Sequence, residues 1–204
     1  MMRRVLVLAG LLASLGACAG IPPPVYSADA FKGIYNQSSA GVPANVSVTV
    51  TPPVGVIFSE NVETYMGYIK DNSAYWGARV PASLTNTVAV ADNDPIYFAG
   101  RTLELLKNRF PTATKIHDFN EAVSTGKKSV ILVDMRYMPM APHGDRTTRV
   151  EIEFYFFNAS MTPVSKLAGQ GSYRAAVGTF EMGVQRSIDQ ALAELEAKMA
   201  QYVR

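Results

Sequence analysis

Valines 46, 48 and 50 alternate with Ser47, Thr49 and Thr51, the period of a half-buried strand. Pro52-Pro53 interrupts the pattern, and Val54-Gly55-Val56-Ile57-Phe58 resumes it, which predicts a strand, a bend or sheet-edge break, and a short continuation. At Asp94-Pro95 the period changes. An aspartate accepts bonds from the first free amides of a helix, and a proline beside it gives up no needed donor. Ala99, Leu103, Leu106 and Phe110 follow at helical spacing, and Pro111 ends the run.

Val130 to about Tyr137 is a nearly continuous apolar strand, and MPMAPHGDRTT after it holds the prolines and glycine of a hairpin loop. Thr148 to Asn158 returns with Val150, Ile152, Phe154 and Phe156 on a dry face and Arg149, Glu151, Glu153 and Tyr155 on a wet one. The turn Asn158 to Pro163 leads into a third strand, Val164 to about Tyr173, weakened by Gly169 and Gly171. Phe180 to Val203 predicts a long helix with an apolar stripe of Val184, Ile188, Ala191, Leu192, Leu195, Met199 and Tyr202.

Neither a one-sided sheet nor an amphipathic helix can bury its apolar side alone. The order strand, helix, three strands, helix therefore predicts one α+β domain over residues 45–204. It is a two-layer sandwich, with two helices packed on one face of an antiparallel or mixed sheet. Residues 60–93 fit this scheme least, because Gly67 and Gly77 argue against a long helix. Their aromatic side chains, Tyr65, Tyr68, Tyr75 and Trp76, read either as core packing or as a candidate partner surface. An exposed sheet edge near Pro52-Pro53 is a second candidate.

The other end of the chain carries a different signal. MMRR is basic, Val5 to Leu15 is almost unbroken apolar, and small residues follow, as in a secretory signal peptide spanning residues 1–17. Val5 to Ala17 is thirteen residues, against about 20 for a membrane-spanning helix. Cys18 is the only cysteine, so it has no disulfide partner within the chain. Behind it, AGIPPPVYSADAFKGIYNQSSAGVPA combines a proline run with a Gln-Ser-Ser-Ala-Gly stretch and reads as a tether over residues 18–44.

Leu15-Gly16-Ala17-Cys18 resembles the lipobox of bacterial lipoproteins. The resemblance implies that the Cys18 thiol receives a diacylglycerol with palmitate-like chains, that the peptide is cut before Cys18, and that the new amino terminus is acylated. Ala19 follows in place of the aspartate that holds some lipoproteins in the inner membrane, which implies the outer membrane of a Gram-negative cell, facing the periplasm. Loss of residues 1–17 leaves 187 residues with 17 basic and 17 acidic side chains. That balance speaks against a nucleic-acid partner, which needs an excess of Lys and Arg.

The search for chemistry yields little. His143 and Asp145 in PHGD are a thinkable ligand pair, but two histidines in the whole chain do not compose a metal site. Gly169-Gln170-Gly171-Ser172 has neither the nucleophile-elbow nor the dinucleotide-loop form and reads as a bulge or strand end. Asp134 shares a strand face with Arg136, and the expectation is an acid paired with a neighbouring arginine such as Arg149, with no second carboxylate beside it. The Asn-x-Ser triplets at Asn36, Asn45 and Asn158 are incidental in a chain with a bacterial lipobox.

In outline the chain is similar to small envelope lipoproteins that assist ABC-type transport or lipopolysaccharide assembly. This implies a non-enzymatic interaction module within an envelope protein complex, anchored through Cys18, with no cofactor and no metal. The alternative is a carrier that holds a lipid or other amphipathic ligand in a helix-sheet cleft lined by Phe154, Phe156, Leu103 and Leu106.

Overall fold

A computed structural model describes residues 41–77, 94–138, 146–175 and 183–204, with the side chains of 72–77 outside the described set. The apolar runs become strands β1 (Val54–Phe58), β3 (Ser129–Met138), β4 (Thr147–Phe157) and β5 (Pro163–Arg174), joined by a two-residue β2 (Thr114–Lys115). They form one mixed sheet in the order β2-β1-β3-β4-β5. β1 runs parallel to β2 and β3, while β3, β4 and β5 are an antiparallel meander. The domain is an α+β sandwich, as its pattern predicts.

Three helices line the dry face: α1 (Glu60–Gly77), α2 (Tyr97–Arg109) and, after a short α3 (Phe119–Ser124) on the opposite face, α4 (Val184–Tyr202). The core between them and the sheet holds Ile131, Val133, Met135, Ile152, Phe154 and Phe156, all at most 1 % exposed. Each such side chain contributes about 1.5–3 kcal/mol by leaving water.

Several expectations are corrected. Residues 60–77 form an unbroken helix through Gly67, because Val62, Tyr65 and Ile69 bury a common stripe, and that packing outweighs the roughly 1 kcal/mol a helical glycine costs. α2 starts at Tyr97; Asp94 accepts from the Ile96 amide at 3.0 Å in the turn before it, and the buried stripe is Phe98, Thr102 and Leu106. Residues 46–51 do not extend β1. Val48 instead bridges Val203, and Ala44 bridges Lys166 at the rim of β5. β1 lies between β2 and β3, so Pro52-Pro53 precedes an interior strand and marks no sheet edge. The β3–β4 loop with His143 and Asp145 lies outside the described residues, as do Cys18, Asn36 and residues 1–40 altogether.

Gly169 and Gly171 bring α4 against β5. A Cβ on Gly169 would overlap the Ala191 carbonyl, and one on Gly171 would overlap that of Ser187. These glycines are neither a bulge nor a strand end; they let a helix backbone lie directly on a strand. From that position α4 covers the free rim of β5. Lys198 donates to the Ala168 carbonyl at 2.6 Å, Glu194 accepts from the Gln170 amide at 2.8 Å, and Gln190 accepts from the Ser172 amide at 3.0 Å. The Lys198 ammonium and the Gln170 amide hold the Glu194 carboxyl below the usual carboxylate range. A strand edge that would otherwise recruit another chain is thus occupied by side chains one helical turn apart.

Candidate functional site

The wet face of the sheet is covered at one end by α3. Ile57, Val130, Leu132, Tyr155 and Phe157 form a second, smaller apolar cluster with Phe119 and Ala122 there. Beyond that cluster the face turns polar. Asp134 on β3 and Glu153 on β4 stand directly opposite each other in the antiparallel register.

Asp134 is 2 % exposed. Its Oδ1 accepts from Ser59 Oγ at 2.5 Å and from Asn61 Nδ2 at 2.8 Å. The parallel pairing of β1 with β3 sets these donors: it carries the chain to Ser59, whose amide donates to the Val133 carbonyl at 2.9 Å, and α1 begins at the next residue. The carboxyl therefore sits at a helix N-terminus, where negative charge is favoured. Glu153 accepts from Tyr155 Oη at 2.5 Å and pairs with Lys166 Nζ at 3.1 Å. Burial raises Asp134 above its ordinary carboxylate range, the bonds from Ser59 and Asn61 oppose that shift, and the charge of Glu153 adds to it.

This corrects the expected partner of Asp134. No arginine bonds it among the described contacts; Arg136 pairs instead with Glu151 at 3.7 Å, and a second carboxylate does stand beside Asp134. A buried acid with a raised value adds stability that is complete below the ordinary carboxylate range and is lost as pH rises through the raised value. Asp134→Asn is accordingly expected to unfold at a higher temperature than the parent at pH 7, with the gap closing as the buffer is made acidic. Asp134→Leu strands two buried donors and is expected to lose about 2 kcal/mol or more. Thermal unfolding in buffers from acidic to neutral pH measures both, and a parent curve that rises steadily with pH relative to Asp134→Asn would sink the account.

Two grooves open among the described residues. One, of about 370 Å3, lies past the carboxylates at the far end of this face, lined by Met138, Arg149, Glu151, Gln170, Ser172 and Gln190. The other, of about 270 Å3, separates α2 from α4 and is lined by Arg101, Glu104, Asn108, Asp189 and Glu196 among others. Neither is the cleft expected for a carrier: Phe154, Phe156 and Leu106 are packed in the core, with Leu103 against it.

The expected aromatic surface fares similarly. Tyr65 and Tyr68 are 1 % and 8 % exposed and pack their rings on Tyr137 at 5.4 and 5.6 Å between centroids. Burial alone raises the Tyr68 hydroxyl above its ordinary value. The side chains of Tyr75 and Trp76 lie outside the described residues. Sequence reasoning missed Glu153, Ser59 and Asn61. A signal for Glu153 was present, since a hairpin centred on PHGD places residues 134 and 153 at equal distances from its turn.

No family model matches the chain, and no curated protein matches it. Among solved structures, the PelC dodecamer from Paraburkholderia phytofirmans is similar, with a TM-score of 0.38 and 11 % identity over 74 % of this chain and 91 % of that one. A leucine-to-methionine variant of the same dodecamer gives a TM-score of 0.35 and 12 % identity over 76 % and 92 %. No residue role is carried over from likenesses this low.

Proposed function

We propose that this protein is a non-enzymatic accessory lipoprotein of the Gram-negative envelope, anchored through acyl groups on Cys18 to the periplasmic side of the outer membrane. There it acts as an interaction module in transport or outer-membrane assembly. The observation that carries the reading is Leu15-Gly16-Ala17-Cys18 placed directly behind a basic start and an apolar run too short to span a bilayer. A thiol ahead of a proline-rich tether is suited to attachment and poorly suited to catalysis, which needs a base and a structured pocket.

The partner surface belongs on the wet face of the sheet. Arg149, Gln170 and Ser172 are exposed there beside a groove, whereas the opposite face is spent on the core. Crosslinking in intact cells tests the module directly. The expected result is a reproducible adduct with an envelope protein, weakened by a charge reversal at Arg149. A chain always recovered alone would overturn the reading.

A further inference from the structure

The tether joins the domain at one end of the sheet, and basic side chains collect at that same end. β1, β2 and β3 begin there, β4 stops there, and α2 and α4 finish there. Arg109 Nη2 accordingly reaches the Val203 carbonyl at 2.6 Å, and Lys127 Nζ reaches Thr114 Oγ1 at 2.7 Å. Lys107, Arg109, Lys127, Lys128 and Arg204 fall at this pole, with the acids Asp118 and Glu121 beside them, whereas the Lys115 ammonium is directed away from it, over the Phe58 ring. Asp118 accepts from the Glu121 amide and Glu121 from the His117 amide, both at the exposed surface.

Residues 18–204 carry 17 charges of each sign, so an excess of positive charge at one pole leaves the rest of the domain net negative. Val123, on α3 at the same pole, is 66 % exposed. Val42, near the end of the tether, packs there with the cluster that includes Phe119 and Met161. Cys18 is 24 residues from Val42.

We propose that this pole rests on an anionic phospholipid surface, the one that holds the acyl chains of Cys18; the inference rests on the lipoprotein reading above. A few lysines and one valine would bind such a surface weakly from free solution. The tether removes that difficulty, because it keeps the pole at high effective concentration beside the headgroups. Each lysine held near an anionic surface then multiplies the docked population about fivefold at moderate salt. The docked pose turns Arg149, Gln170 and the groove beside them away from the lipid, toward the periplasm.

The acylated full-length chain supplies its own test, because acylation of the single cysteine leaves no free thiol. V123C and Q170C each then provide one labelling position, and the dye-labelled proteins are placed on vesicles carrying a headgroup quencher. With phosphatidylglycerol present, quenching at V123C is expected to exceed that at Q170C at least about twofold, and to fall when salt is raised or when K127E and K128E are combined. Equal quenching at the two positions, or no difference between phosphatidylglycerol and pure phosphatidylcholine vesicles, would overturn the docking. A chain that fails to stay on vesicles, with a Cys18 thiol still open to the dye, overturns the lipid anchor and this proposal with it.

Discussion

Gly171→Ala is expected to be among the most damaging single substitutions in the domain, lowering stability by about 3 kcal/mol and the melting temperature by roughly 6–12 °C. An added methyl would stand inside the Ser187 carbonyl oxygen and 2.7 Å from its carbon. Both contacts are to backbone, so no rotamer change relieves them, and α4 must move away from β5. That motion loosens Ile188, Ala191 and Leu195 in the core and pulls Gln190 and Glu194 off the amides they cover. The same substitution at Gly100, on the exposed side of α2 with open space around it, is the control and should be neutral or slightly stabilising. Purified proteins followed by thermal unfolding decide the matter: a Gly171→Ala curve within about 2 °C of the parent would mean that α4 does not lie as close as described.

Cys18→Ala carries the largest expected effect on location. Several acyl chains contribute about 0.8 kcal/mol for each buried methylene, enough to hold a protein that a single chain would let go. Without the thiol no chain can be attached, and cleavage before residue 18 loses its recognition feature. The expected result is loss of palmitate labelling together with loss of the normally processed, membrane-bound form. The melting temperature of the folded domain should not change, because the described core begins at Val50. A variant that is cut and retained normally would refute the lipoprotein reading, and so would a parent protein whose mature amino-terminal peptide has an unmodified cysteine.

The meander β3–β4–β5 and helix α4 are legible in the sequence because β4 and α4 are periodic over ten residues or more with apolar positions that face the core, β3 is a nearly continuous apolar run, and turn residues separate the strands. α1 was obscured by Gly67 and by polar-tipped aromatics, although Val62, Tyr65 and Ile69 already stood at helical spacing. α3 is only six residues long, yet Asp118 and Glu121 give it a capping pattern that could have been found: Asp118 accepts from the Glu121 amide at 2.8 Å. Ser59 and Asn61 were not legible as partners of Asp134, since they meet it through a parallel pairing across more than 70 residues that no local pattern reports.

The segment from Pro43 to Val50 has a mechanical consequence. Five backbone hydrogen bonds fasten it to β5 and to the end of the chain: Asn45 to Lys166, Lys166 to Pro43, Val48 to Tyr202, Arg204 to Val48, and Val50 to Arg204, all between 2.8 and 3.0 Å. These bonds lie across the segment. Tension applied from residue 41 along the segment loads them in shear, so they share the force and must fail together, where a peeled strand would open one bond at a time. A pull on the amino-terminal side would meet this fastening before it reached the sheet, making this short stretch the point at which the domain bears load.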